Sequence, residues 1–200
     1  DNPMILLDGR VESCGNFHGA PVAMVCDFLS IAVAELCAIA ERRTDRMLDK
    51  ARSHGLPPFL SPDAGVNSGM MIAHYTQAAM AMEAARLATP ASTQSLPTSA
   101  MQEDHVSNGW AAARKLRRSV DALRRVLAVE ITCAAAAIDL RAPLQPAAGT
   151  GAAVRFLRQH IAGPGSDRWL SPELRTVETL LHDGRLLDAV ESVTGPLEVN

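Results

Sequence analysis

Two short segments concentrate groups able to do acid–base or recognition chemistry. Thr98-Ser99-Ala100-Met101-Gln102-Glu103-Asp104-His105 places an amide, two carboxylates and an imidazole in four consecutive positions, just before a long helical pattern. A carboxylate beside an imidazole can move a proton, and burial would raise a glutamate into a useful acid–base range. A local reading competes with this one. Acidic residues favour the partial positive charge of a helix N-terminus, and Asp104 is a good N-cap. If Asp104 caps, Glu103 points elsewhere, so both readings stand.

The second segment is Gly15-Asn16-Phe17-His18-Gly19, where glycines flank an amide, an aromatic ring and an imidazole. It reads either as a strand-to-helix turn with Asn16 capping the next helix or as part of a binding surface. A third loop, Leu56-Pro57-Pro58-Phe59-Leu60, reads as packed rather than functional.

Other candidates are weaker. Arg114-Lys115-Leu116-Arg117-Arg118, continued by Arg124-Arg125, could mimic a nucleic-acid stripe. No aromatic residues are interleaved with it, so a solvated helix face is expected. Cys26 and Cys37 share a helix face but lie about 16 Å apart along the axis, too far for a disulfide or a shared metal. His74, beside Tyr75, reads as a packed or interface residue, and His54, His160 and His182 have no carboxylate–cysteine constellation near them. No metal site and no phosphate-cradling glycine loop is expected.

The elements that must position these groups are mostly helical. Met4-Ile5-Leu6-Leu7 and Arg10-Val11-Glu12-Ser13 flank Asp8-Gly9, a pair suited to a two-residue type I′ turn, which predicts a short N-terminal β-hairpin. A helix is expected over 20–50, apolar nearly all round in its first two-thirds and so buried on most sides. A loop over 53–67 precedes a second helix, from a Ser68 cap to about Ala88, and a further loop covers 90–104. The third long helix spans about 105–140, with Val106, Trp110, Ala113, Leu116, Val120, Leu123, Leu127 and Ile131 at helical spacing. After a Pro/Ala/Gly-rich linker over 143–151 come shorter helices over 152–161, 172–183 (capped by Ser171) and 185–193. The fold class is therefore all-α: a long-helix bundle with a short N-terminal hairpin and smaller C-terminal helices, divided into residues 1–143 and 144–200. Such long apolar faces cannot cover themselves, which points to an oligomeric core built from copies of the chain.

Composition bounds the partners. Hydrophobic residues make up 48% of the sequence but aromatics only 4%, so the core rests on Ala, Leu, Val and Met. A net charge of −3 gives no general pull toward nucleic acid or anionic membranes. The four cysteines show no C-x-x-C pairing and read as reduced thiols of a cytoplasmic protein. The one apolar window long enough for a membrane, 21–40, contains Asp27 and Glu35, which argues against membrane insertion. The start at Asp1-Asn2-Pro3, without an initiator Met, reads as an internal one.

Five segments in register carry a family resemblance: Asp1-Asn2-Pro3, Gly15-Asn16-Phe17-His18-Gly19, Leu56-Pro57-Pro58-Phe59-Leu60, Asn67-Ser68-Gly69, and Pro97 through Ser107. Together they resemble the histidine and phenylalanine ammonia-lyase family from residue 1 to about Pro143. The resemblance implies a helical homotetramer whose long helices form one core. It also implies an electrophilic 4-methylidene-imidazol-5-one made by cyclisation of Ala-Ser-Gly, a triplet that does not occur in these 200 residues. That group, a tyrosine base and a carboxylate-binding arginine would all lie upstream. By carry-over, Glu103 is the catalytic acid–base residue at the imidazole or amino end of the substrate, Gln102 supports it, and Phe17 lines the aromatic side of the pocket. An acid at position 103 points to L-histidine as substrate and urocanate as product, since relatives acting on phenylalanine or tyrosine carry an amide there. Met101 departs from the asparagine usual at that point. The rivals are an inactive helical assembly fragment and a related aromatic amino-acid lyase or aminomutase.

Overall fold

A computed structural model describes residues 2–198. The expected hairpin forms from β1 (Met4–Ile5) and β2 (Val11–Glu12), paired antiparallel with Met4 opposite Glu12. Its turn is not the two-residue one. Leu6 N donates to Arg10 O at 2.9 Å, which leaves a three-residue loop, Leu7-Asp8-Gly9, in which Gly9 alone has positive φ (85°). The Asp8 side chain decides this by accepting the Arg10 amide (3.1 Å) and guanidinium (2.8 Å). The Asn2 side chain supports the far end, accepting the Cys14 amide at 2.9 Å.

Three long helices follow: α1 (Ala20–Leu48), α2 (Met71–Leu87) and α3 (Gly109–Asp139). α1 and α3 run in the same direction. Lys115, early in α3, meets Asp27, early in α1, and Arg43 meets Glu130 near the other end of both. α2 runs back along them, placing Gln77 against Val126 and Glu83 against Arg118. Their shared core is Val33, Cys37 and Ala40 of α1, Ala84 of α2, and Ala122 and Val126 of α3. Alanine at so many contact positions lets the axes approach closely, which explains how a chain poor in aromatics forms a core.

At the far end a short helical turn, Pro58–Leu60, seats Leu56 and Leu60 against Leu48, Met70, Val129 and Cys133. The Leu56–Leu60 loop is thus packed, as its sequence suggested. Beyond α3 lie α4 (Ala148–Leu157), α5 (Ser171–His182) and α6 (Arg185–Thr194). Leu157, Ile161, Val177, Leu180 and Leu186 bury themselves on Ala128 and Ala135, so α3 contributes to all three clusters.

Several local expectations yield to long-range contacts. α1 is buried along one stripe only, because α2 and α3 touch it from one side, and Val22, Met24, Val25, Phe28, Leu36 and Ile39 stay exposed. α1 is long and apolar enough to cross a membrane by length and composition alone, and its packed stripe carries the buried carboxylates Asp27 and Glu41. Ser68 does not cap α2. The N-cap position is Met70, because the Ser68 and Gly69 amides both donate to Asp167 at 2.8 Å. α4 starts at Ala148, inside the stretch expected to be a linker.

Candidate functional site

The folding of the bundle brings two of the three singled-out loops to one end, where α1 and α3 both begin. Gly19 occupies the N-cap position of α1, with Pro21 in the first turn. Asn16 does not cap it; its side-chain amide turns to the Met4 sulfur at 3.2 Å. α3 starts at Gly109 rather than near His105, and its N-cap is Asn108 in the left-handed region (φ 54°), which asparagine tolerates well. Asp104 therefore caps nothing. Residues 104–108 run without helix because their polar groups bond sideways: Val106 N to Ser95 Oγ (2.9 Å) and Asn108 Nδ2 to the Gln94 carbonyl (2.9 Å).

His18 is the hinge between the two loops. Its Nδ1 lies 3.1 Å from Ser107 Oγ, and its ring meets His105 edge-on at 5.2 Å. Phe17 packs against His18 with the rings tilted and their centroids 4.4 Å apart, and remains 53% exposed. The His105 ring faces His18 and Ser95 Oγ (3.5 Å) rather than a carboxylate, so the carboxylate–imidazole pair expected from the sequence does not form.

Gln102 and Glu103 sit on a tight turn closed by paired backbone bonds, Thr98 N to Glu103 O (2.9 Å) and Glu103 N to Thr98 O (3.2 Å). Between these ends Ser99, Ala100 and Met101 all have positive φ (52°, 53° and 69°). Three consecutive non-glycine residues in this region store strain, which is the kind of backbone found where side chains must be presented in a fixed direction. Among the described residues the side chains of Gln102 and Glu103 have no hydrogen-bond partner, and both are exposed. The chain does not bury Glu103. Phe17, Gln102 and Glu103 all lie exposed at one end of the bundle, and among the described residues no hydrogen bond or ring contact joins Phe17 to the other two.

This end of the bundle is braced by two charges that the sequence offered only as part of a solvated basic face and as a mark against membrane insertion. Asp27, 3% exposed, accepts from Lys115 Nζ at 2.8 Å and from the Ser92 amide at 2.8 Å. Burial pushes its carboxyl up, but the hydrogen bonds from Lys115 and Ser92 and the Lys115 charge outweigh this and hold it below the ordinary range. Lys115 also donates to the Thr89 carbonyl. In the rest of the basic run Arg118 pairs with Glu83, Arg124 with Asp121 and Arg125 with Glu178, while Arg114 and Arg117 are exposed.

His74, expected to be packed, hydrogen-bonds Glu41 at 2.7 Å between α2 and α1. Cys37 and Cys133 are buried thiols, pushed up to about 11 and about 12. A groove of about 710 Å³ between α2, α3 and α5, edged by Ile72, Arg125 and Trp169, contains none of residues 15–19 or 94–108. Among the described residues no three potential ligands converge on a metal position.

The chain is 61% identical to the histidine ammonia-lyase of Streptomyces avermitilis over 198 residues, 98% of this chain and 39% of that protein. It is 63% identical to that of Streptomyces coelicolor, again over 98% of this chain and 39% of the relative. The chain thus spans about 39% of the length of these relatives. Among solved structures, the histidine ammonia-lyase of Trypanosoma cruzi superposes with a TM-score of 0.91 at 37% identity, covering 100% of this chain and 42% of that one. The tyrosine aminomutase of Streptomyces globisporus superposes with a TM-score of 0.93 at 34% identity, covering 98% and 38%. The aromatic amino acid lyase family model matches residues 1–159, most of the chain, and with the fold and these relatives it establishes that the chain belongs to the aromatic amino acid lyase family.

Proposed function

We propose that this chain is the C-terminal part of a cytoplasmic histidine ammonia-lyase, which eliminates ammonia from L-histidine to give urocanate. The observation that carries the reading is identity of 61–63% with histidine ammonia-lyases across 98% of the chain. Glu103 supports it chemically. A carboxylate suits a basic imidazole ring, whereas a substrate with an apolar ring gains nothing from it.

The family's electrophile, a methylidene-imidazolone cyclised from Ala-Ser-Gly, supplies the acceptor for the substrate amino group. This chain has no Ala-Ser-Gly run from which to make one. What it holds fits a wall facing such a group: Phe17 and Met101, 53% and 66% exposed, beside unpaired Gln102 and Glu103 on backbone braced from behind. In this reading Phe17 covers a face of the substrate imidazole. Glu103 binds its imidazole or amino end and helps move the proton, and Gln102 keeps Glu103 in place. The exposed apolar side of α1 supports assembly into a homotetramer through the long helices.

The test is Glu103→Gln in the whole lyase, following growth of urocanate absorbance from histidine. Turnover should fall by roughly 10²–10⁴-fold, the usual worth of a general acid–base group, with the size of the assembly unchanged. Turnover near that of the parent would overturn the role given to Glu103. The superposition on a tyrosine aminomutase gives the rival outcome its form, a β-amino acid in place of urocanate.

A further inference from the structure

The loop bearing Gln102 and Glu103 runs from Thr89 to Asn108 without a helix or regular strand of its own. A loop of that length takes its position from its anchors. Ser95 to Val106 and Gln94 to Asn108 tie its two limbs to each other, and Ser107 ties the returning limb to His18. The outgoing limb is tied to the helices by an ion pair of the buried Asp27 and the half-buried Lys115. The Asp27 carboxylate accepts the Ser92 amide through Oδ2 and the Lys115 ammonium through Oδ1, each at 2.8 Å, while Lys115 also donates to the Thr89 carbonyl.

The chemistry of this anchor is specific. The limb offers the bundle one backbone acceptor, the Thr89 carbonyl, and one backbone donor, the Ser92 amide. Thr89 is exposed and Ser92 half-buried, so an apolar pair beneath them would leave both groups to water and the limb untied from α1 and α3. An ammonium beside a carboxylate supplies one donor and one acceptor and neutralises itself, so the two helices can hold the loop without burying a lone charge.

We infer that Asp27 and Lys115 are a positioning pair for Glu103: they join α1 and α3 to the outgoing limb and so set where the 98–103 turn presents its carboxylate. The catalytic consequence rests on the role proposed above for Glu103; the mechanical consequence does not. Neither residue touches substrate in this arrangement. They act through the loop, and misplacement of a reacting group by about 1 Å is enough to cost roughly a hundredfold in rate.

The test uses the whole lyase with Asp27→Asn, which keeps the shape and an acceptor for Ser92 but removes the charge. Lys115→Gln, which keeps a donor for Thr89, serves if the first variant does not fold. Hydrogen exchange across residues 94–106 should quicken roughly tenfold or more, and kcat per folded site should fall by roughly tenfold to a hundredfold, with the oligomer intact. Exchange in 94–106 and kcat both at parent values, with only the melting temperature lowered, would show a purely structural pair and overturn the inference. Faster exchange with unchanged kcat would overturn it too. A parent that forms no urocanate would sink the histidine reading instead, and unchanged exchange would still overturn the anchor.

Discussion

Replacing Gly69 with alanine probes the joint that fastens α2 to the loop before it. Gly69 has φ of +57°, and a Cβ built there would lie 2.5 Å from the Phe59 carbonyl oxygen and 3.1 Å from Ser61 Cβ. The oxygen is backbone and cannot swing away. It is also the acceptor of the Met70 amide at 2.9 Å, so relieving the clash pulls that bond apart. A left-handed non-glycine residue costs about 1–2 kcal/mol, and a lost backbone hydrogen bond adds roughly 0.5–1.5 kcal/mol. The sum is about 1.5–3.5 kcal/mol, which lowers the melting temperature by roughly 3–14 °C in a unit of this chain's size and by less in the larger whole lyase. Calorimetry of the whole lyase reads this directly, with Gly165→Ala as the control: no heavy atom lies within 4 Å of the Cβ position there, so little change is expected. A Gly69→Ala protein melting with the parent would refute the claim that this glycine is demanded by close approach and left-handed backbone.

Two further outcomes follow from burial and charge. Cys37 and Cys133 should resist alkylation in the native protein and react only on unfolding, because burial holds both thiols far above neutral pH; peptide mass spectrometry after iodoacetamide would read this, and rapid native labelling of either would contradict the packing. Glu41 is held below the ordinary carboxylate range by its hydrogen bond from Arg42, opposed by burial and helped by His74, and Asp27 is lowered as well. A depressed folded-state value means stabilisation that is present above the unfolded value, near 4, and lost as pH falls through the folded one. Melting temperature should therefore hold from neutral pH to about 5 and then drop steeply; Glu41→Gln should flatten that drop, and an unchanged acid slope in the variant would remove Glu41 from the account.

The candidate site was legible in the sequence as parts. Phe17, Gln102 and Glu103 stood out by residue type, and the 98–107 and 15–19 segments by their resemblance to the family. Their neighbours were not legible. His18 and Ser107 are 89 residues apart, Asp27 and Lys115 88 apart, and Glu41 and His74 33 apart, and no local pattern joins them. The same blindness misplaced the helix starts. Asp104 and Ser68 satisfy every local rule for an N-cap, yet bonds to Ser95 and Gln94 in one case, and to Asp167 in the other, keep the backbone around them out of the helix.

The sequence by itself determined the kind of elements, because 3.6-residue periodicity and the dispersal of Gly and Pro act over a few residues. It determined the family as well, because five motifs in register are a property of the chain alone. Only the tertiary structure decided which loops meet, where each helix begins and which charges are buried together. Those outcomes depend on bringing distant segments within hydrogen-bonding distance, and a donor left unpaired in its own segment takes whatever acceptor the packing of α1, α2 and α3 delivers.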